Sequence, residues 1–218
     1  MIIQIIQQYY PLLLEGFKNT LIASLVALFF SLILGTVMAI GQLSENKVIK
    51  TLSSMYVEFF RNIPLLVIVM FFYAVIPLYV ANITGFQAGL IGLTIYTSSF
   101  IADNVRAGIL SIAKGQTEAG LSQGMTKNQV MRYIILPQAI RIVIPPLGNQ
   151  FINLVKNSSI LAMVAGLDLM YYGDLIASET FVTVDTYIVV ALFYLLITLP
   201  LTFIVRKLEV SLSLEGGK

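Results

Sequence analysis

Residues 118–137, with the sequence EAGLSQGMTKNQVMRYIILP, decide the fold because they form a polar, structured segment between long apolar stretches. Residues 116–124 have helix-forming character and end in a glycine stop at Gly124. Thr126, with Gln129 three residues later, has the pattern of a capping box and begins a second helix. The segment therefore predicts two helices joined by a tight turn. Such a knuckle fits a groove on a partner protein, and it also fits an ordinary amphipathic connector.

The apolar stretches on both sides predict an all-α integral membrane protein, because about 20 mostly apolar residues cross the hydrocarbon core. We expect a single domain, residues 1–218, with about five transmembrane helices. These cover roughly residues 18–43, 52–80, 86–110, 142–165 and 186–205, with a cytoplasmic loop over residues 111–137. Residues 1–17 are expected to form a short interfacial helix, since Pro11 and Glu15 argue against a sixth span there.

The composition supports a membrane protein and excludes several kinds of chemistry. The chain is 58% hydrophobic and 11% charged, whereas a soluble domain carries about 25% charged residues. It contains no Cys and no His, which excludes disulfides, thiol nucleophiles and metal sites built from these residues. A net charge of +2 is too small to favour nucleic acid as a partner. We therefore expect no catalytic residue, metal site or cofactor on this chain.

The positions of lysine and arginine predict the orientation in the membrane. Residues 44–51, residues 111–141 and the C-terminal tail carry basic residues, whereas residues 166–185 carry only acidic ones. The basic segments should be cytoplasmic and the acidic segment external. This places the N-terminus outside and the C-terminus in the cytoplasm.

Polar side chains within the predicted spans are candidates for a substrate path, because charged groups at membrane depth normally face a bundle interior or a wet cavity. Helical spacing places several of them on one face of the second, third or fourth span. The face of the third span contains Gly89, Gly92, Tyr96, Ser99, Asp103 and Arg106. The candidate substrate-binding residues are Glu58, Asn62, Tyr96, Ser99, Asp103, Asn153, Lys156 and Asn157.

Two interpretations of these residues stay open. Glu58 with Arg61, and Asp103 with Arg106, are i, i+3 pairs whose charges can neutralise each other within one helix. Alternatively, the acidic residues hold the ammonium group of an amino acid, with Glu58 favouring a cationic one, while Lys156 and neighbouring asparagines hold its carboxylate. The Pro145–Pro146 pair and the Ser158–Ser159 step are expected to interrupt the fourth span, as a kink or as a hinge.

Residues 118–137 resemble the EAA signature of the permease subunits of ABC importers. That signature consists of E-A-A, three residues, G, nine residues and I-x-L-P, and the chain departs from it only at Gly120, where the third alanine usually stands. Three further stretches resemble polar amino acid permeases of the histidine, glutamine and arginine uptake group. They are Asn19-Thr20, residues 58–66 (EFFRNIPLL) and residues 156–159 (KNSS).

This resemblance implies a type I ABC importer permease fold and a role in ATP-driven uptake of polar amino acids across a bacterial cytoplasmic membrane. It implies ABC ATPase subunits that bind ATP and Mg, a second permease subunit, identical or homologous, and an external solute-binding protein. It also implies that a coupling helix contacts the ATPase through Glu118, Ala119, Gly120, Gly124, Leu136 and Pro137. The chain lacks a G-x-x-x-x-G-K-[ST] motif, so we do not expect it to hydrolyse ATP. An ion-coupled secondary transporter is the alternative.

Overall fold

Ten α-helices follow one another over residues 1–215, the part of the chain whose backbone the computed structural model describes, with side chains to residue 212. A π-helical turn over Met131–Ile135 joins α7 to α8, and a 3-10 helix over Ser158–Val164 follows α8. The helices are α1 Ile2–Gln42, α2 Lys47–Asn62, α3 Leu65–Ala74, α4 Ile76–Tyr79, α5 Gly85–Leu110, α6 Lys114–Ser122, α7 Lys127–Val130, α8 Leu136–Asn157, α9 Leu169–Thr180 and α10 Thr183–Glu215.

Within the described residues, three helical stretches are long and apolar enough to cross a membrane: Ile2–Gln42, Lys127–Val164 and Thr183–Leu212. The bent pair of Lys47–Asn62 and Leu65–Tyr79 adds a fourth if it forms one span. The remaining predicted span is α5, which has 26 residues and includes the predicted range 86–110. The Gly, Ser and Thr residues of α5 lower its mean hydropathy. They suit this helix because it lies inside the bundle, where Ser98 and Ser99 are fully buried.

The N-terminal residues do not form a separate interfacial helix, because α1 is continuous through Pro11. At 1.5 Å per residue, a helix of this length extends over about 60 Å, roughly twice the thickness of the hydrocarbon core. Its first part packs against α9 and α10 in an apolar cluster that includes Leu13, Leu169 and Ile176. This packing stabilises the helix across the position where Pro11 cannot donate a backbone hydrogen bond.

The helix predicted over residues 52–80 is broken at Ile63–Pro64. The segments on either side of the break meet at 101°. A proline disfavours helical geometry at the residue before it, and Ile63 accordingly is extended, with φ −102° and ψ 135°. Asn62 Nδ2 donates a hydrogen bond of 2.7 Å to the Glu58 carbonyl oxygen and so closes the last turn of α2.

Pro145 and Pro146 do not interrupt the fourth predicted span, since α8 runs through both. Helices at membrane depth tolerate proline where neighbouring helices cover the backbone, and both prolines are half-buried. The predicted interruption at Ser158–Ser159 is confirmed, because the α-helix changes there into the 3-10 helix.

The centre of the bundle is α5, which α1 follows closely. A Cβ atom at Gly35 would lie 2.6 Å from the Ser98 carbonyl oxygen, so only glycine permits this approach without a shift. One turn earlier, Ser31 Oγ donates a hydrogen bond of 2.9 Å to the Thr94 carbonyl oxygen. Leu93 of α5 packs with Leu161 in a buried cluster that also contains Ala23 of α1.

Polar contacts define the two ends of the bundle. At one end, Lys127 Nζ lies 2.7 Å from Glu45 Oε1 and joins the α1–α2 loop to the start of α7. At the other end, Asn19 Nδ2 donates to the Leu167 carbonyl oxygen at 2.8 Å. The α1–α2 loop and the 111–137 segment therefore lie at one end, and the connection before α9 at the other. The stretch predicted as an external acidic loop contains the helix α9.

Candidate substrate cleft and coupling segment

A cleft of about 310 Å³ lies between α5 and α8. Its lining consists of Tyr96, Phe100, Gln150, Asn153, Lys156 and Asn157. The structure therefore brings together Tyr96 from the third predicted span and the three candidate residues from the fourth. Lys156 and Asn157 stand three and four residues after Asn153, so both lie one turn further along the side of α8 that faces the cleft.

Two lining residues, Phe100 and Gln150, were missed by reasoning from the sequence. Phe100 stands one turn after Tyr96, and their ring centroids are 4.9 Å apart. Gln150 stands one turn before Asn153 on the same face of α8. The helical spacing was the available signal in both cases.

The cleft offers one cation, three carboxamides and one phenol hydroxyl. The Lys156 ammonium group donates hydrogen bonds, and each carboxamide of Gln150, Asn153 and Asn157 both donates and accepts. Lys156 and Asn153 are exposed, so their polar groups are available to a solute. The volume lies at the lower end of the range of about 300–1,000 Å³ for small-molecule sites. This arrangement can hold a small zwitterion that carries a polar side chain.

Some residues of the polar face predicted on α5 pack against other helices, and Tyr96 lines the cleft. A Cβ atom at Gly89 would lie 2.7 Å from Leu161 Cγ, and one at Gly92 would lie 2.7 Å from Val69 Cγ2. Ser99 is fully buried, and its Oγ donates to the Tyr96 carbonyl oxygen at 2.7 Å. Ser99 is therefore not part of the cleft lining, contrary to the prediction from helical spacing, because its face of α5 packs against other helices.

The predicted pairing of charges within single helices is corrected by the structure. Arg61 Nη1 of α2 lies 2.9 Å from Asp103 Oδ2 of α5, so the ion pair joins two helices instead. Glu58 and Asn62 lie on the exposed surface of α2, outside the cleft lining. The Arg61 guanidinium also lies 5.4 Å from the centroid of the Phe100 ring, which places the ion pair beside the cleft wall.

The candidate coupling segment, residues 111–137, turns sharply at Gly124, and the conformation of this residue explains the turn. Its φ of +81° lies in the left-handed region that favours glycine, and no other atom crowds the position of its missing Cβ. The Gly124 N–H donates to the Leu121 carbonyl oxygen at 3.0 Å, and the Met125 N–H donates to the Gly120 carbonyl oxygen at 3.2 Å. These two bonds form a Schellman motif at the end of α6 and confirm the predicted glycine stop.

The helix after this turn begins with the predicted capping box. Thr126 Oγ1 accepts a hydrogen bond of 3.3 Å from the Gln129 N–H, and Gln129 Oε1 accepts one of 2.8 Å from the Thr126 N–H. Both bonds satisfy backbone donors that a helix N-terminus otherwise leaves unpaired.

Gly120, the one departure from the EAA signature, lies at the contact between the two helices. A Cβ atom there would lie 2.8 Å from Val130 Cγ2 and 2.9 Å from Ile134 Cδ1. A small residue is therefore needed for the knuckle to close. Glu118 and Ala119 are exposed on α6, and Leu136 and Pro137 are exposed on the first turn of α8.

The contact between Glu45 and Lys127 shifts the pKa values of both groups. The hydrogen bond from Lys127, followed by its charge, holds the pKa of the Glu45 carboxyl below its usual value. The same hydrogen bond and charge raise the pKa of the Lys127 ammonium group. Both groups are fully exposed to solvent, so salt screens their attraction.

Residues 31–213 match the family described as binding-protein-dependent transport system inner membrane component. The chain belongs to this family. The permease is 54% identical over 207 residues to the probable glutamine ABC transporter permease protein GlnM of Bacillus subtilis (strain 168), covering 95% of this chain and 96% of that protein. It is 36% identical over 201 residues to the glutamine transport system permease protein GlnP of Escherichia coli (strain K12), covering 91% of this chain and 92% of that protein.

Solved structures have the same fold as the permease. One, described as an amino acid ABC transporter with histidines, has a TM-score of 0.89 at 36% identity, covering 94% of this chain and 95% of that chain. An inward-facing MetNI methionine ABC transporter has a TM-score of 0.79 at 23% identity, covering 94% of this chain and 98% of that chain, and shares the fold alone.

The family confirms the main prediction from residues 118–137. The chain is a multi-pass inner-membrane permease subunit of an ABC transporter and is not itself the ATPase. No cofactor is expected on such a subunit. The ion-coupled secondary transporter is excluded, because the family match and the relatives place the chain among the permeases of ABC transporters.

Proposed function

We propose that this permease forms the membrane pathway of an ATP-driven amino acid uptake system and binds the substrate in the cleft between α5 and α8. The observation that carries the proposal is the convergence of Tyr96, Asn153, Lys156 and Asn157 on one cleft. The Lys156 ammonium group binds the α-carboxylate of the amino acid. The carboxamides and the Tyr96 hydroxyl bind its ammonium group and its polar side chain.

Glutamine is the substrate that the lining favours. Gln150, Asn153 and Asn157 can each donate to and accept from a side-chain amide, whereas the lining contains no carboxylate for a cationic side chain. The names of the relatives in B. subtilis and E. coli, which both mention glutamine, support the same substrate.

A cationic amino acid is the second candidate, because Asp103 lies beside the cleft and Glu58 adds an exposed negative charge to α2. Asp103 adjoins the cleft through Arg61 and Phe100, and the related structure contains histidines. If Glu58 contributes to selectivity, Glu58→Gln lowers uptake of arginine relative to glutamine. If the ratio of the two rates does not change, Glu58 has no such role.

The remaining partners are proposed from the family and from the two ends of the bundle. The knuckle formed by α6 and α7, with Leu136 and Pro137, binds an ABC ATPase subunit at the cytoplasmic end. The N-terminus and α9 lie at the outer end, where a solute-binding protein delivers the amino acid. A second permease subunit, identical or homologous, completes the pathway, and membrane lipid surrounds the pair.

The proposal is tested by purifying the permease with its ATPase and reconstituting the complex into liposomes with the binding protein. We expect glutamine to stimulate ATP hydrolysis, and we expect Glu118→Arg to abolish both the stimulation and co-purification of the ATPase. Glu179→Arg is the matched control for co-purification of the ATPase, because it reverses an exposed charge on α9, at the opposite end of the bundle. Stimulation that survives Glu118→Arg contradicts the proposed coupling surface. No stimulation of the native complex by any amino acid contradicts the proposed function.

A further inference from the structure

The connection between α8 and α9 is held in an unfavourable backbone conformation. Ala165 has φ 52° and Leu167 has φ 54°, so two residues that are not glycine occupy the left-handed region on either side of Gly166. The preceding 3-10 helix has seven residues, whereas such helices rarely exceed about three or four. Residues 158–168 thus combine two kinds of backbone strain within one short stretch.

Polar contacts from α1 and α10 hold this connection in place. The Leu167 carbonyl oxygen accepts a hydrogen bond from Asn19 Nδ2, and the Leu169 N–H donates to Thr20 Oγ1 at 3.0 Å. Asp168 is fully buried, and its carboxylate accepts bonds from the Met170 and Tyr171 N–H groups at 3.1 and 3.2 Å. The Tyr194 hydroxyl of α10 donates to the same carboxylate at 3.2 Å.

Packing leaves little room for the connection to change while its neighbours stay in place. A Cβ atom at Gly166 would lie 2.7 Å from Leu161 Cβ, and one at Gly85 would collide with the Val164 carbonyl oxygen. The first residue of α5 thus touches the end of the 3-10 helix. The start of that helix follows directly after Lys156 and Asn157, which line the substrate cleft.

We propose that residues 158–168 form a strained hinge of the transport cycle, which the contacts of Asp168 hold in the state described here. In this account, Ala165 and Leu167 leave the left-handed region in one step of the cycle, and the 3-10 helix then displaces Lys156 and Asn157. The cleft changes its affinity for the amino acid in that step. The inference rests on the proposed function, since it assigns a movement to the same cleft.

The left-handed residues provide a test that separates a moving hinge from a static strained loop. Glycine adopts this conformation freely, so Ala165→Gly and Leu167→Gly stabilise the state seen here relative to any state in which these residues have relaxed. We expect each substitution to lower the maximal rates of uptake and of substrate-stimulated ATP hydrolysis by roughly fivefold or more. Co-purification with the ATPase should stay at the native level.

Phe181 supplies the matched control. It is the third residue other than glycine with a left-handed φ, 58°, but it stands at the end of α9 with 89% of its surface exposed. Phe181→Gly relieves strain of the same kind outside the hinge and should leave the maximal rates at saturating binding protein unchanged, since an effect on docking at the outer end would change only the half-saturating concentration. If Ala165→Gly and Leu167→Gly also leave the rates unchanged, or if Phe181→Gly lowers them equally, the hinge is contradicted.

A second measurement detects the movement directly and does not depend on the rates. Because the chain contains no Cys, a single Met163→Cys substitution places a spin label on the 3-10 helix, at a residue that is 58% exposed. We expect the label's mobility to differ between the nucleotide-free complex and the ATP-bound complex with a hydrolysis-deficient ATPase. Identical spectra in both states contradict the proposed hinge but not the proposed function. A native complex that transports no amino acid overturns the proposed function, and the hinge with it.

Discussion

The Arg61 guanidinium of α2 forms an ion pair with the Asp103 carboxylate of α5, with 2.9 Å between Nη1 and Oδ2. Arg61 stands two residues before Ile63, where the chain turns by 101° into α3. Its guanidinium also covers the Phe100 ring, which forms part of the cleft wall. The pair therefore fixes the end of α2 against the helix that carries one side of the proposed substrate site.

A double-mutant cycle with Arg61→Gln and Asp103→Asn should give a favourable coupling free energy of about 0.5–1 kcal/mol. The value is small because both side chains are more than a third exposed and solvent screens their charges. Thermal unfolding of the purified native and variant complexes measures this coupling free energy. The cycle of Arg61→Gln with Glu58→Gln is the control and should show no coupling. A larger coupling free energy of Arg61 with Glu58 than with Asp103 would show that Arg61 pairs within α2 and not with α5.

Gly124→Ala should weaken the coupling segment by about 1 kcal/mol, because a Cβ atom is unfavourable at a left-handed φ even where space is open. Gly124→Asn should restore most of the loss, since asparagine tolerates this conformation. Gly115→Ala is the control, because Gly115 lies in α6 with open space around it and alanine favours a helix. Co-purification of the ATPase under increasing salt measures the effect. Equal retention by Gly124→Ala and Gly115→Ala contradicts the assigned role of the turn.

The buried Asp168 carboxyl should make stability depend on pH. Burial raises the pKa of this carboxyl to about 6, although hydrogen bonds from Met170, Tyr171 and Tyr194 oppose the shift. A carboxyl that binds its proton more tightly when folded adds stability below its unfolded pKa of 3.8, and this stability is lost as pH rises towards 6. The contribution of Asp168 to the free energy of unfolding should fall by on the order of 1 kcal/mol between about pH 5 and pH 7.

Asp168→Asn tests this dependence, because asparagine keeps an oxygen that can cap α9 and has no charge to bury. Tyr194 is the titratable group that contacts Asp168 from α10, and Thr20 of α1 is uncharged. Melting temperatures of the native complex should therefore fall between about pH 5 and pH 7 by more than those of the variant. Parallel curves for the two proteins mean that Asp168 is not the source of the dependence.

The elements that could be predicted from the sequence depend on local signals. The knuckle around Gly124 was predictable because a glycine stop and the Thr126–Gln129 capping box are properties of consecutive residues. The start of α5 was predictable for the same reason, since Thr84 and Gln87 form a capping box there. In the cleft, Tyr96, Asn153, Lys156 and Asn157 were found because helical spacing places side chains on one face.

The missed features depend on how separate elements pack. Arg61 pairs with Asp103 because α2 and α5 pack against each other. The spacing of residues along one helix does not predict that packing. Ser99 was assigned to the pathway because it shares a face with Tyr96, but packing buries that part of the face. The continuity of α8 through Pro145–Pro146 depends on neighbouring helices. The left-handed residues at 165 and 167 carry no sequence signal, because neither is a glycine.

The most direct test of the proposed substrate site is the uptake of labelled glutamine by liposomes that contain the complete complex, with native permease or with Lys156→Met. We predict that Lys156→Met raises the glutamine KM at least about tenfold, because it removes a charge-assisted bond to the carboxylate. Lys50→Met, which removes an exposed charge from α2 outside the cleft, should leave KM unchanged. Native glutamine kinetics in Lys156→Met would contradict the substrate site between α5 and α8.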